Sequence, residues 1–498
     1  MKRSTLGSIL YLYLSCAYDV FRASAFQAPI LSSKISQYTY NNNKHKASSL
    51  QASSQDVFSS DAPPIKSQSQ PQPLTQKQSP LSMTLEQLSK LMHGKGRAHA
   101  SWDCFKLGID PLLFYNPAFP EEHLDNALNL ESDEKDDDKD DVENNAKISH
   151  GSSSSSSRTE IQQLLPLRRQ AETLGNKALK SLYHSYPSPL GIEQSIASLN
   201  QITTSNDGTT KLLLKLANSD YYIETVIIPH LEWNKSTLCV SSQVGCAQGC
   251  IFCATGKMGR LASLTPDQIL IQLYYANKVC RARGGLGLPQ IDNVVFMGMG
   301  DAADNIEAVR QAVDVMTDRS CFALAPSKVT ISTVGPSPEV FGELAKADAV
   351  LAWSVHAVRD DLRKKLVPTT KYSMEELGDG LVLALKDRSK RMRNVMLEVA
   401  LMDGINDGVR EAEELADFAL GLMERVEGMK LMVNLIPFND IGIDKYRRPS
   451  GENVAAFQKI MVTKGVKTFV RTTRGDDESA ACGQLATKKR KAGETTTK

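Results

Sequence analysis

Between residues 292 and 470 the chain alternates short apolar runs with longer amphipathic ones, and this pattern limits the fold more than any other feature. Strand-like runs fall at 292–297, 329–333, 350–355, 395–400, 432–436 and 467–470. Helix-like periods separate them near 304–316, 338–346, 373–387, 409–424 and 452–463. Parallel strands cannot be joined by tight turns; each needs a crossover of a dozen or more residues, and this spacing supplies it. Six such units fall short of the eight that close a barrel. The expected fold is therefore α/β, a partial (β/α)6 barrel within a catalytic domain at 231–475. Upstream, Thr265-Pro-Asp-Gln268 opens another helix with a capping box, and Cys280 falls on its core face. In α/β barrels functional groups gather at the carboxyl ends of the strands.

A second feature constrains the chemistry. Cys246-Ala-Gln-Gly-Cys250-Ile-Phe-Cys253 puts three thiols on one short loop. Thiolates are the usual ligands of iron–sulfur clusters, and a 4Fe-4S cube held by three of them keeps one iron open to a small molecule. Gly245 and Gly249 let the loop turn tightly. A competing reading adds Cys239 to make an all-cysteine zinc site. Zinc sites favour paired CxxC-like knuckles, so the spacing argues for the cluster. A cluster also needs a compartment that keeps thiols reduced, and the nine cysteines are not spaced as a disulfide framework.

The longer run CVSSQVGCAQGCIFCATG, beginning at Cys239, resembles the cluster loop of RlmN/Cfr-type radical S-adenosylmethionine (SAM) enzymes, which methylate RNA. Further segments carry the resemblance: Glu224-Thr-Val before Ile228-Pro229, Gly298-Met-Gly-Asp301, Ser354-Val-His356, and RGDDESAACGQL around Cys482. The resemblance implies a 4Fe-4S cluster on Cys246, Cys250 and Cys253, and two SAM molecules per turnover. It places Gly300, Asp301, Ser332, Ser354, Val355, His356 and Asn439 against SAM. It makes Cys482 the methyl carrier, Glu224 the base that removes the ring proton, and Cys239 the thiol that releases product by attacking the Cys482 sulfur. The implied product is an adenosine methylated at carbon 2 in large-subunit ribosomal RNA, with transfer RNA beside the anticodon as a second substrate. Methylation at carbon 8 is the alternative within the family, and a zinc-stabilised RNA-binding module without catalysis is the alternative outside it. A radical SAM enzyme acting on protein would leave Cys482 and Cys239 without a role. The family pattern GMGEP is here Gly-Met-Gly-Asp301-Ala302, one methylene shorter, so weaker SAM binding is expected. Arg471 and Arg474 could each lower a thiol pKa or hold phosphate. An electron donor such as ferredoxin or flavodoxin is expected, with a monomeric chain and no membrane partner.

The rest of the chain supplies address and accessories. Lys2 and Arg3 precede an apolar run at 9–16, too short to span a bilayer, and Ala23-Ser-Ala25 is a cleavage pattern, so 1–25 reads as a signal-peptide-like segment. Residues 26–80 are rich in Ser, Gln and Lys, and SAFQAP resembles the junction of plastid presequences in algae with secondary plastids. The expected destination is the plastid stroma, with mitochondrion or cytoplasm as alternatives. Residues 81–128 form a helical accessory region in which Trp102 reads as core. Residues 129–158 are acidic and then serine-rich, unable to offset ordering entropy. An accessory helix and strands fill 159–230, and 476–498 carry Cys482 and a basic tail. The nine acids and two lysines of 131–143 mask a remainder of net +8 within an overall +1, which suits an anionic partner. The run Lys386, Arg388, Lys390, Arg391, Arg393 is a candidate RNA contact, balanced against a merely solvated face.

Overall fold

The computed structural model describes residues 79–114, 174–186, 191–282, 288–443 and 445–486. The segment 1–25, all but the end of 26–80, the insertion 129–158 and the basic tail beyond 486 lie outside the described residues. No helix among the described residues is long and apolar enough to cross a membrane.

The strands are β1 (Ala197–Thr204), β2 (Thr210–Leu216), β3 (Tyr222–His230), β4 (Lys235–Cys239), β5 (Gln243–Gly245), β6 (Arg260–Ser263), β7 (Ile291–Phe296), β8 (Val329–Thr333), β9 (Val350–Ser354), β10 (Asn394–Leu401), β11 (Lys430–Pro437) and β12 (Thr468–Val470). Ten form one sheet in the order β1-β2-β3-β4-β7-β8-β9-β10-β11-β12, and β5 pairs with β6 as a separate ribbon. From β4 to β12 each neighbouring pair is parallel. From β1 to β4 each is antiparallel. The parallel part thus has a strand more than the alternation predicts. That strand, β4, is only Lys-Ser-Thr-Leu-Cys, too short and polar to announce itself, yet its last four residues are buried because β3 and β7 flank it. The boundary expected at 230 falls inside this continuous sheet, so β1–β3 are an extension of the barrel wall.

Crossover helices cover the sheet, and their ends are written in the sequence. Thr265 and Gln268 exchange the two hydrogen bonds of a capping box before the helix Pro266–Ala282. Ser373 and Glu376 do the same before Met374–Lys386. Both devices satisfy amide groups a helix start leaves unpaired, each contributing about 1 kcal/mol. The central strands are buried on both faces, as β8 (Val-Thr-Ile-Ser-Thr) shows. Trp353 on β9 packs edge-on against Phe341 at 5.2 Å and Phe418 at 5.7 Å, while its indole N–H donates to Val334 O. Phe341→Ala would open a cavity here at a cost of about 3–5 kcal/mol.

The accessory helices Leu85–Leu91 and Lys95–Phe105 belong to the same core. Trp102 is fully buried, edge-on to Phe105 and to Phe322 of the barrel, which makes it a docking pin and not a base-stacking platform. Ser79 bonds Asp267 at the start of the helix Pro266–Ala282.

The basic run at 386–393 is corrected by the fold. It lies at the amino-terminal end of β10, away from the carboxyl ends where function gathers. Arg388 is buried and donates to the carbonyls of Ala347 and Ala349. Arg393 donates to the carbonyls of Arg388, Glu427 and Lys386, and Lys390 pairs with Glu427. These cations close backbone ends.

Candidate active site

β4 ends at Cys239, and the chain passes through Val240–Ser242 into the β5–β6 ribbon, whose β5 leads directly into Cys246. Gly245 is required there: its φ is +75°, and a Cβ would stand 1.9 Å from Gly259 O. Cys246, Cys250 and Cys253 all line one cavity of about 880 Å³. The same cavity is bordered by Phe296 and Met297 after β7, Ser332 and Val334 at β8, and Ser354 and His356 at β9. Glu398 and Ala400 of β10, and Ile436 through Asn439 at β11, complete it. Five successive strand ends meet one space, so the sheet curls as a partial barrel around it.

Burial raises the thiols of Cys246 and Cys250, and neighbouring Asp301 and the other loop cysteines raise them further. Such thiols ionise when a metal compensates them. Among the described residues no three Cys, His, Asp or Glu side chains are close enough to share a single ion. The zinc reading therefore fails, while a multi-iron cube, which spreads its ligands, fits a three-thiol donor set around a cavity.

Cys482 opens onto this cavity. Its segment is clasped on both sides. Asn439 Nδ2 donates to Cys482 O at 3.0 Å, Ala254 N–H to Gly483 O at 2.7 Å, and Thr255 Oγ1 to Leu485 O at 2.5 Å. From the far side Lys211 Nζ donates to the carbonyls of Glu478 and Ser479, and Asp207 accepts from Gly475 N–H. Cys239 and Cys482 are both free thiols. Burial pushes Cys239 up to about 12; the nearby Cys482 adds to this and Arg471 opposes it. The crowded wall also raises Cys482, and again Arg471 pulls the other way. Arg471 thus faces both sulfurs, which decides its role over phosphate binding, and it pairs with Glu398 at 3.5 Å.

Glu224 sits on β3, two residues from Val226, the partner of Cys239. Burial raises its carboxyl, and Lys211 at 3.5 Å offsets this. Its Oε2 has no hydrogen-bond partner among the described residues. It stands behind the Cys482 segment and is not a cavity-lining residue.

The remaining expected residues divide. Ser332 and Ser354 are 3.4 Å apart on the cavity wall. His356, at φ +60°, accepts from Ala400 N–H through Nδ1, which leaves the proton on Nε2; burial lowers its pKa to about 3, so the ring is neutral. Gly300 reaches the cavity, but its lack of a Cβ serves packing: one would meet Gln243 at 2.6 Å. Asp301 accepts from Thr333 Oγ1 (2.6 Å), Val334 N–H (2.7 Å) and Ala303 N–H (2.9 Å), so its short side chain ties β7 to β8 and has little capacity left for an ammonium. Asn439 is committed at both ends, to Cys482 O and to Thr473 Oγ1. Val355 is buried in the main core and does not border the cavity.

The comparisons agree with this geometry. Residues 240–419 match the family model described as the Radical SAM superfamily. The "Dual-specificity RNA methyltransferase RlmN" of Marinomonas sp. (strain MWYL1) is 39% identical over 283 residues, covering 56% of this chain and 74% of the relative. That of Saccharophagus degradans is 40% identical over 285 residues, covering 57% and 69%. The crystal structure of a radical SAM methyltransferase from Sphaerobacter thermophilus matches with a TM-score of 0.54 at 31% identity, covering 66% of this chain and 96% of that one.

The chain belongs to the RlmN/Cfr family of radical SAM RNA methyltransferases.

The cofactors of the RlmN/Cfr family are a 4Fe-4S cluster and SAM, two molecules of SAM per turnover. The three-thiol loop and its cavity fit them. Two residues that matter to this RlmN/Cfr site escape a sequence reading. Arg363 lies in Asp-Asp-Leu-Arg-Lys-Lys-Leu, a string that looks like solvated surface, yet it is wholly buried beside Cys250. It donates to the carbonyls of Ser354, Val355 and Val334, stitching β8 to β9. Glu398 is the lone acid in Val-Met-Leu-Glu-Val-Ala-Leu, and an acid in so apolar a strand was a usable signal.

Proposed function

We propose that this chain methylates carbon 2 of an adenosine in large-subunit ribosomal RNA, and of an adenosine beside the anticodon in transfer RNA, through methylated Cys482. The observation that carries this is the meeting of Cys482, Cys239 and Arg471 at the rim of the cavity that holds the three cluster thiols. When bound, the cluster and SAM supply the methyl group and the radical that activates it, which no side chain can do. Cys482 then presents the methyl group to the base, from a segment that Asn439 and Ala254 hold in place. Arg471 favours the thiolate that must accept the methyl group. Glu224 takes the ring proton, with Lys211 keeping it close to the Cys482 segment. Cys239 attacks the Cys482 sulfur; an S–S bond forms as the carbon–sulfur bond to the product breaks. A small one-electron carrier such as ferredoxin or flavodoxin supplies reducing power, the chain acts as a monomer, and the presequence-like start supports a plastid location.

Methyl transfer from labelled SAM to plastid ribosomal RNA tests the reading. Mass spectrometry of digested RNA should show 2-methyladenosine, and Cys482→Ala should abolish it. A product methylated at carbon 8, or full activity in that variant, would overturn the assignment.

A further inference from the structure

The chemistry proposed above needs an electron from outside the chain, and the surface around the cluster loop shows where it enters. The loop 246–253 is held between two surface segments. On one side Cys246 N–H donates to Gly259 O at 3.0 Å, and the chain continues into Arg260 and Leu261. On the other, Ile251 N–H donates to Leu366 O at 3.1 Å and Thr369 Oγ1 to Gln248 O at 3.1 Å. That brings in the end of the helix Asp360–Leu366 and the turn that follows.

Both flanks are basic. Lys257 and Arg260 are exposed on the first, and Lys364, Lys365 and Lys371 on the second. Among them stand two exposed apolar side chains, Leu261 at 42% and Tyr372 at 36%. Several nearby acids are engaged: Asp304 accepts from Gln248, Asp360 from Met374 N–H, and Glu376 from Ser373. Asp361 and Glu375 are exposed on the second flank, leaving the face net positive. The outer side of the loop is also low. Ala247 is exposed, and Gly249, at φ +60°, has no atom within 4 Å of where a Cβ would stand.

The inner side of the loop faces the cavity, where a base must meet Cys482. A nucleic acid engaged there leaves the outer side to another partner. We infer that the face formed by Lys257, Arg260, Leu261, Lys364, Lys371 and Tyr372 docks a small acidic one-electron carrier protein, which gives up one electron as the cluster gains one. Tunnelling weakens steeply with distance, so the carrier must sit on the thinnest wall. A small apolar centre ringed by charge suits a transient complex that forms fast and separates fast.

The test uses the full chain carrying its cluster, with reduced plant-type ferredoxin as the probe and dithionite as the control, following cluster absorbance anaerobically. In the triple variant Lys364→Glu, Lys365→Glu, Lys371→Glu, ferredoxin-driven reduction should slow at least about tenfold and lose its ionic-strength dependence. Dithionite-driven reduction and the Kd for a ribosomal RNA fragment should not change. Unchanged ferredoxin rates would overturn the inference, as would equal slowing with dithionite, which would put the damage in the cluster site. Weakened RNA binding with normal ferredoxin reduction would overturn it in favour of an RNA face. Ferredoxin reduction of the wild type without methyl transfer to RNA would sink the proposed function and leave this docking face standing.

Discussion

At the amino-terminal end of β10, Arg388 and Arg393 direct their guanidinium groups at backbone carbonyls, and Lys390 is taken by Glu427. At the carboxyl-terminal end of the same strand, Glu398 and Ala400 border a space where thiols and hydroxyls face no protein partner of their own size. The first end is denser in charge and chemically closed; the second is sparser and open. The difference teaches that charge density along a sequence does not mark a working surface. What marks it is whether the chain itself already satisfies the groups.

The comparison breaks most decisively at the open end. Cys482→Ala should lower methyl transfer by at least about 10³-fold while RNA affinity stays within about twofold, measured with labelled SAM and by RNA titration. Next comes the buried stitch beside the cavity: Arg363→Met leaves three strand-end carbonyls without a donor and should cost about 3–5 kcal/mol in denaturant unfolding. Its counterpart at the closed end, Arg388→Met, should cost about 1–3 kcal/mol and leave the methylation rate of the folded fraction unchanged. A rate loss there would dissolve the distinction between the two ends.

Asp301 sharpens the contrast through pH. Burial holds it at about 6 when folded, against 3.8 ordinarily. The folded chain therefore binds more protons than the unfolded chain between about pH 4 and 6, so stability falls as pH rises through that window and levels above it. The drop should be about 1–3 kcal/mol. Thermal melts of Asp301→Asn should lose this slope, and a retained slope would place it in another group. The smallest effect belongs to the closed end: Lys390→Ala with Arg391→Ala should change RNA Kd less than about twofold and leave its salt slope untouched. A slope reduced by about one would restore that run as a phosphate contact.

What the sequence discloses depends on how local the cause is. β8 lies where its apolar run puts it, and the capping boxes at Thr265 and Ser373 are legible because both partners are three residues apart. The cluster loop is legible for the same reason, since its three thiols are neighbours in the chain. β4 is hidden because its burial comes from β3 and β7 and not from its own composition. The helix Asp360–Leu366 was missed because Arg363 and its charged neighbours break the apolar period, and only the fold supplies the carbonyls that make burial tolerable. Asp301 matches a motif by type, but Thr333, its strongest partner, lies on the next strand and redirects it. Arg388 misleads for the mirror-image reason, being a surface residue by composition and a buried one by contact.

The segment 471–486 follows every described strand in chain order, yet it is anchored both to the β1–β2 turn through Asp207 and to the cluster loop through Ala254. During synthesis the iron-binding half of the centre is therefore made long before the sulfur that completes it. A nascent chain halted after β12 would be a container with no reactive partner inside, so nothing can be alkylated or radicalised by mistake until the last piece is laid across the opening.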